Sequence, residues 1–278
     1  MLSIEQSTTN ECVKEVQLAA LKFLISYFDK HQIEYFVIAG TLLGTIRHQG
    51  FIPWDDDIDI GLRRKEYEKF RDLFEKEFND NPQSSYFLQN WHTEKEFAMP
   101  FSKLRVNRTI YKEFVTKDVN FHHGIYIDIF PFDDLDKSNL KKIYQRNVQS
   151  LLHKTILIKS DYNIVDHRLQ IFLKKLIKFI PKKLLVKYLE KLYISKCPDN
   201  KYMVCTGGSY GFKKETVLKD WFENLIFLSF EGILVKAPAK YKFYLTNLYN
   251  DFLVPPKIEN RKSRHNIIEV KIEKNNLN

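Results

Sequence analysis

Apolar residues recur at helical spacing through residues 11–30. Val13, Val16, Leu21, Leu24, Tyr27 and Phe28 share one face, which predicts an amphipathic N-terminal helix. The next segment, EYFVIAG (34–40), is short, β-branched and aromatic, and ends in glycine, the pattern of a buried strand. TLLGTIRH then predicts a short helix with Thr41 as its cap, and DIDIGL a second strand. RKEYEKFRDLFEKEF (64–78) aligns Tyr67, Phe70, Leu73, Phe74 and Phe78 on one helical face. Further strands are expected in SYFLQN, FAMPFSKLRVN, TIYKEF and GIYIDIF.

After Pro131 the pattern turns helical to about residue 195, and Pro181 divides the last part into two helices. NLIFLSFEGILVKAP reads as a hairpin turning at Glu231-Gly232, followed by a helix from about 238 to 250. The implied organisation is α+β. A core spans 1–135, a helical and hairpin portion spans 136–265 and packs on it, and residues 266–278 form a flexible polar tail.

Charge changes the picture next. The 278 residues carry a net charge of +9, which favours an anionic partner: nucleic acid, a phosphorylated small molecule or an acidic membrane surface. The lysines concentrate in RLQIFLKKLIKFIPKKLLVKYLEKLYISK (168–196), a basic face over an apolar stripe that is compatible with peripheral contact at the inner membrane surface. No RRM, OB or zinc signature accompanies the charge, so no nucleic acid is expected. Cys12, Cys197 and Cys205 match no zinc spacing and read as reduced cysteines of a cytoplasmic protein. The N-terminus lacks the pattern of a signal peptide, and no run reaches the length of a transmembrane helix.

The chemistry lies in IAGTLLGTIRHQGFIPWDDDIDIGL (38–62). On a strand over 57–61, Asp57 and Asp59 face the same side while Ile58 and Ile60 face the core. Two residues of strand separate them by roughly 6.6 Å, close enough to converge on one cation. In IYIDIF, Asp128 stands alone among apolar neighbours. Burying it requires a partner, either Lys103 or Arg105 of a third strand or a metal shared with Asp57 and Asp59. Oxygen-only ligands select Mg²⁺ or Mn²⁺. Gly40 permits close backbone approach, Thr41 offers a hydroxyl, the following helix presents free amides, and Arg47 and His48 lie within reach of a phosphate. Taken singly these features are ordinary: a solvated turn, packing glycines at 40 and 44, a buried ion pair. His122-His123 reads as a polar loop and His265 as a surface residue. Together they match the needs of metal-assisted phosphoryl chemistry.

In order along the chain, GTLLGTIRHQGFIPWDDDIDIGLRRKEYEKF, PFSKLR, GIYIDIFPFDDL, FEGILVKAPAKYKFYL and VPPKIENRKSRH closely resemble the blocks of the LicD family, over about residues 34–265. That family includes bacterial phosphocholine transferases and fukutin-type ribitol-phosphate transferases. The resemblance implies a nucleotidyltransferase-like fold, a mixed sheet flanked by helices. Gly40-Thr41 would be its glycine motif, and Asp57, Asp59 and Asp128 its catalytic and metal-binding carboxylates. Gly44, Arg47, Trp54, Asp55, Lys103 and Arg105 are expected at the substrate, with Asp55 or Asp56 as outer supports. Two departures stand out: Ala39 where the family often has a second glycine, and Asn250 where glycine is common.

The implied reaction moves a substituted phosphate from a CDP-activated donor, CDP-choline first among them, to a sugar hydroxyl of a lipopolysaccharide, capsule or teichoic acid precursor. Ribitol-, glycerol- or ethanolamine-phosphate transfer and true nucleotidyl transfer are the alternatives. For choline an aromatic cage is expected, with Trp54, Tyr86, Trp91 and Tyr126 as candidates.

Overall fold

The computed structural model describes residues 4–194, 198–263 and 265–273; Cys197 lies outside them. The elements in chain order are α1 (Ile4–Lys30), β1 (Phe36–Val37), α2 (Ala39–His48), β2 (Asp59–Arg63), α3 (Arg64–Phe74), β3 (Tyr86–Gln89), β4 (Ser102–Val106), β5 (Thr109–Glu113) and β6 (Tyr126–Asp136). There follow α4 (Asn139–Lys159), α5 (His167–Leu176), α6 (Lys182–Tyr193), β7 (Pro198–Cys205), α7 (Phe212–Glu215) and β8 (Thr216–Leu218). β9 (Leu225–Phe230), β10 (Ile233–Pro238), α8 (Tyr241–Tyr249) and β11 (Ile267–Ile272) complete the chain.

The expected α+β architecture is present: a seven-stranded mixed sheet flanked by helices. Its path runs β1-β2-β6-β4-β3, with β7 and β8 continuing from the far half of β6. Only β2 and β6 pair in parallel; the other pairings are antiparallel. One face buries the apolar stripe of α1, including Val13, Val16, Leu21, Leu24 and Phe28, against the apolar residues of β2, β4 and β6. Gly61 is the tight point of this packing. A Cβ there would lie 2.4 Å from the Phe36 ring and 2.8 Å from the Phe132 ring.

Several elements differ from the sequence pattern for identifiable reasons. β1 is only two residues long, because the chain enters α2 at Ala39. Thr41 is therefore inside the helix, not its cap; Ile38 occupies the cap without a side-chain bond. β2 begins at Asp59, so Asp57 precedes the strand. Leu73, read as core, is 36% exposed, whereas Tyr67, Phe70 and Phe74 are buried. β6 does not stop at Pro131 but runs through it to Asp136. Proline removes a donor but keeps its carbonyl, and Pro131 O accepts from Thr206 N at 2.9 Å. Downstream of it, Asp133 takes a two-pronged bond from Arg64, at 2.6 and 2.7 Å, which ties β6 to α3.

The sheet also recruits β7 and β8, from beyond residue 135, through Phe132↔Cys205 and Val204↔Thr216. Residues 267–272, expected to be loosely ordered, instead form β11 and pair with β5. The hairpin turns where predicted, with positive φ at both Glu231 and Gly232. Asn250 adopts φ +62° with ψ −111°, outside the left-handed helical region and a backbone that glycine takes up more easily. Pro181 separates α5 from α6 and caps the latter. Helices α4 and α6 enclose a smaller apolar cluster that includes Ile156, Leu157, Leu185 and Leu189. Among the described residues no helix is long and apolar enough to cross a membrane.

Because two rings and the Ile38 side chain would have to move together, Gly61→Ala is expected to destabilise the fold by about 2–3 kcal/mol, read as a lower denaturant midpoint at unchanged slope.

Candidate active site

Register explains how the acidic residues meet. Asp59 of β2 pairs with Asp128 of β6, and Asp128 pairs with Lys103 of β4. Residues in register present their side chains to the same face, so the three form a row across neighbouring strands. Asp57, just before β2, bends into the same place. One carboxylate oxygen from each of Asp57, Asp59 and Asp128 lies within 4.8 Å of the others, so together they could hold a metal ion.

The backbone here is braced from α2. Thr41 Oγ1 accepts a bond from the Asp59 amide at 2.8 Å, Ile38 N donates to Asp59 O at 3.2 Å, and Thr45 Oγ1 donates to Thr41 O at 2.7 Å. Thr41 thus positions Asp59, and it lies behind the cleft and is not part of its lining.

Electrostatically the cluster is overloaded. Burial and the charge of Asp55 push the Asp57 pKa up to about 8. Burial and Asp57 hold Asp59 well above the usual carboxylate range. Asp128 is raised by burial, and Lys103 works against that rise. The Lys103 ammonium donates to Asp128 Oδ2 at 3.0 Å and stands 2.8 Å from Oδ1, yet Oδ1 is buried with no aligned hydrogen bond among the described residues. An acidic oxygen left in that state suits a cation approaching from the open side.

The open side is a cleft of about 650 Å³, reached by Asp55, Asp57, Asp59 and Asp128 together with Gly40, Arg47 and Trp54. Gly40 is needed because a Cβ there would sit 2.4 Å from Asp55 Oδ2. Arg47 donates to Phe252 O at 3.4 Å, and its Nε is buried without a hydrogen bond.

Other expected residues lie elsewhere. Gly44 packs on the loop after α2, where a Cβ would lie 2.3 Å from Gly50 O. Lys103 is committed to Asp128 and lies 3.4 Å over the Tyr126 ring. Arg105 is buried and donates to Gln89 at 2.7 Å and to Gly124 O at 2.8 Å. These two side chains brace the sheet behind the carboxylates; neither lines the cleft. Of the aromatic candidates, Tyr86 stacks on Phe23 at 4.2 Å, Trp91 donates to Glu190 at 2.9 Å, and Tyr126 is fully buried. Only Trp54 borders the cleft, where Arg47 and Arg261 lie near its ring.

The C-terminal half supplies what local pattern did not reveal. His265, read as a surface residue, binds Asp56 Oδ1 through Nδ1 at 3.0 Å and brings Nε2 within 3.9 Å of Asp57. Tyr111 donates to the other oxygen of Asp56 at 2.9 Å, which makes Asp56 the anchor that holds His265 over the site. Burial disfavours the imidazolium, but the bond to Asp56 and the nearby Asp57 outweigh it and push its pKa up to about 9. Lys262, Glu215, Tyr210 and Tyr249 also line the cleft. The block ending in His265 hinted at the first of these; no local pattern singled out the other three.

The ion pair carries a sign. His265 binds its proton more tightly folded than unfolded, so in metal-free protein its stabilisation is complete below pH 6.5 and lost as the pH rises through about 9. His265→Ala is expected to lower stability at pH 6 by about 2 kcal/mol and by less above pH 9, measured by urea unfolding at the two pH values.

Residues 32–159 match the family described as LicD/FKTN/FKRP, nucleotidyltransferase domain. The lipopolysaccharide cholinephosphotransferase LicD of Haemophilus influenzae is 27% identical over 267 residues, covering 91% of this chain and 96% of that protein. The human ribitol 5-phosphate transferase FKRP is 29% identical over 58 residues, 21% of this chain and 12% of that protein. An uncharacterized protein of Rickettsia prowazekii is 39% identical over 67 residues, 21% of this chain and 25% of that one. The carboxylate cluster, its bracing helix α2 and strands β1 to β6 lie inside the matched span, so residues 32–159 form a domain similar to the LicD nucleotidyltransferase domain.

Proposed function

We propose that this protein transfers phosphocholine from CDP-choline to a sugar hydroxyl of a cell-surface glycan precursor. The observation that carries the reading is the convergence of Asp57, Asp59 and Asp128 at the floor of the cleft. Near full-length similarity to a lipopolysaccharide cholinephosphotransferase supports the choice of donor and acceptor class.

The three carboxylates would hold Mg²⁺ or Mn²⁺, which would neutralise negative charge building on the diphosphate. Arg47 reaches a phosphate oxygen with its unsatisfied Nε, and Lys262 does so at the cleft mouth. The acceptor oxygen bonds to the phosphorus that carries choline, the bond from that phosphorus to CMP breaks, and CMP leaves with the electron pair. The hydroxyl proton passes to a carboxylate that borders the cleft outside the metal trio, and Asp55 is the one so placed.

The acceptor is met at a membrane surface. Helices α5 and α6 expose Phe172, Leu176, Leu184 and Tyr188, and the segment between them exposes Phe179 to 89%. The exposed lysines 175, 178, 183 and 187 surround them, a pairing that suits an anionic bilayer face. Full-length protein is expected to co-sediment with vesicles rich in anionic phospholipid. Lys175→Glu combined with Lys178→Glu should weaken that binding about tenfold, with no loss of turnover on a soluble acceptor.

Asp57→Asn and Asp59→Asn are each expected to cut CMP release from CDP-choline by roughly 10²–10³-fold while the protein stays folded, and chelation of divalent metal should do the same to the unaltered chain. Release of pyrophosphate in place of CMP would turn the reading to nucleotidyl transfer. Full activity in both variants would remove it.

A further inference from the structure

The β7–α7 loop, α7 and α8 contribute Tyr210, Glu215, Tyr244 and Tyr249 to the lining of the cleft. Glu215 is 4% exposed. Its Oε1 accepts the Tyr210 amide at 2.9 Å, and the Cys205 thiol lies against it. Among the described residues no lysine, arginine or histidine pairs with it. A buried carboxylate normally has a cationic partner or loses its charge; here burial pushes the pKa up to about 7. Gly208 is folded tightly over it, for a Cβ there would come within 2.3 Å of Oε1. Beside it, Tyr210 and Tyr249 pack edge to face with ring centroids 5.2 Å apart and their hydroxyls bonded at 2.9 Å. The pocket is held rigidly: Lys214 donates to Leu248 O at 2.6 Å, which locks α7 to α8.

Resting on the phosphocholine reading above, we infer that Glu215, with the rings of Tyr210 and Tyr249, is the receptor for the quaternary ammonium of the donor. Three arguments converge on it. The site lacks a positive charge and a ligand would bring one. Aromatic rings and a carboxylate are the two groups that recognise a trimethylammonium, which cannot donate a hydrogen bond. The site also shares one cleft with the metal carboxylates, and Cys205 and Tyr244 each experience the field of both Glu215 and Asp59, so a single ligand can span the two. Trp54, Tyr86, Trp91 and Tyr126 are replaced in this role by residues of the β7–α7 loop, α7 and α8.

Equilibrium binding of phosphocholine to the full chain, compared with its neutral isostere in which carbon replaces the quaternary nitrogen, tests the inference. The native protein should prefer phosphocholine by about tenfold or more. Glu215→Gln keeps an acceptor for the Tyr210 amide but removes the charge, and should erase most of that preference without altering the melting temperature. Tyr249→Leu should narrow it severalfold and decides the matter if the first variant does not fold. Equal affinity of the native protein for the two ligands, or an undiminished preference in Glu215→Gln, overturns the inference. The two readings can fail separately. A Glu215-dependent preference without CMP release from CDP-choline would refute only the reaction, and CMP release indifferent to Glu215 would refute only the receptor.

Discussion

The structure turns on the mutual repulsion of three carboxylates at the bottom of a cleft. Oxygens of Asp57, Asp59 and Asp128 share a space under 5 Å across, with Asp55 and Asp56 next in line and Lys103 as the one ammonium in direct contact from behind. Like charges packed this closely in a buried place raise one another's pKa and would relax apart if the backbone allowed it. It does not. Parallel pairing of β2 with β6 holds Asp59 beside Asp128, and Thr41 and Ile38 of the α2 start bind the backbone of Asp59 on both sides. The electrostatic strain is thus held at a point of the sheet where the backbone is bonded from both neighbours, an arrangement that suits a cation.

The remaining elements can be understood as means of keeping that site in shape. Lys103 and Arg105 alternate with apolar residues on β4, and both turn their charge inward, to Asp128 and to Gln89 with Gly124. The Arg64–Asp133 pair fixes the lower half of β6, so the strand passes Pro131 without fraying. β11 pairs with β5 and delivers the segment that carries His265, whose bond to Asp56 seals the acidic loop from the solvent side. Residues 38–59 and residues far along the chain, in the β7–α7 loop, α7 and α8, line the cleft together, with α2 packed on α8.

Much of the fold was legible because periodicity and burial are local. The α1 stripe, the α3 face, the Glu231-Gly232 turn and the division of α5 from α6 at Pro181 all follow from residues near one another in sequence. The errors have physical causes of a different kind. Pro131 reads as a strand end in isolation, yet its carbonyl is what the neighbouring chain uses. The segment 267–272, IIEVKI, is rich in β-branched residues inside an otherwise polar tail, and its strand partner, the edge of β5, lies more than 150 residues earlier in the chain. Leu73 fits the helical stripe, but no neighbour covers it.

The sequence by itself determined the chemistry on offer. An alternating strand with an isolated aspartate, a D-x-D preceded by a glycine and a short helix, and the ordered blocks around them were sufficient to show the resemblance to the LicD family and to single out Asp57, Asp59 and Asp128. Which other groups join them was decided only in three dimensions. Whether Lys103 meets a phosphate or an aspartate depends on strand register. Whether His265 is surface or site depends on where β11 docks. That Glu215 faces a cleft without a counter-charge depends on two segments more than a hundred residues from the D-x-D. Charge acts over ångströms of space and is indifferent to separation along the chain, so these partnerships leave no trace in local pattern.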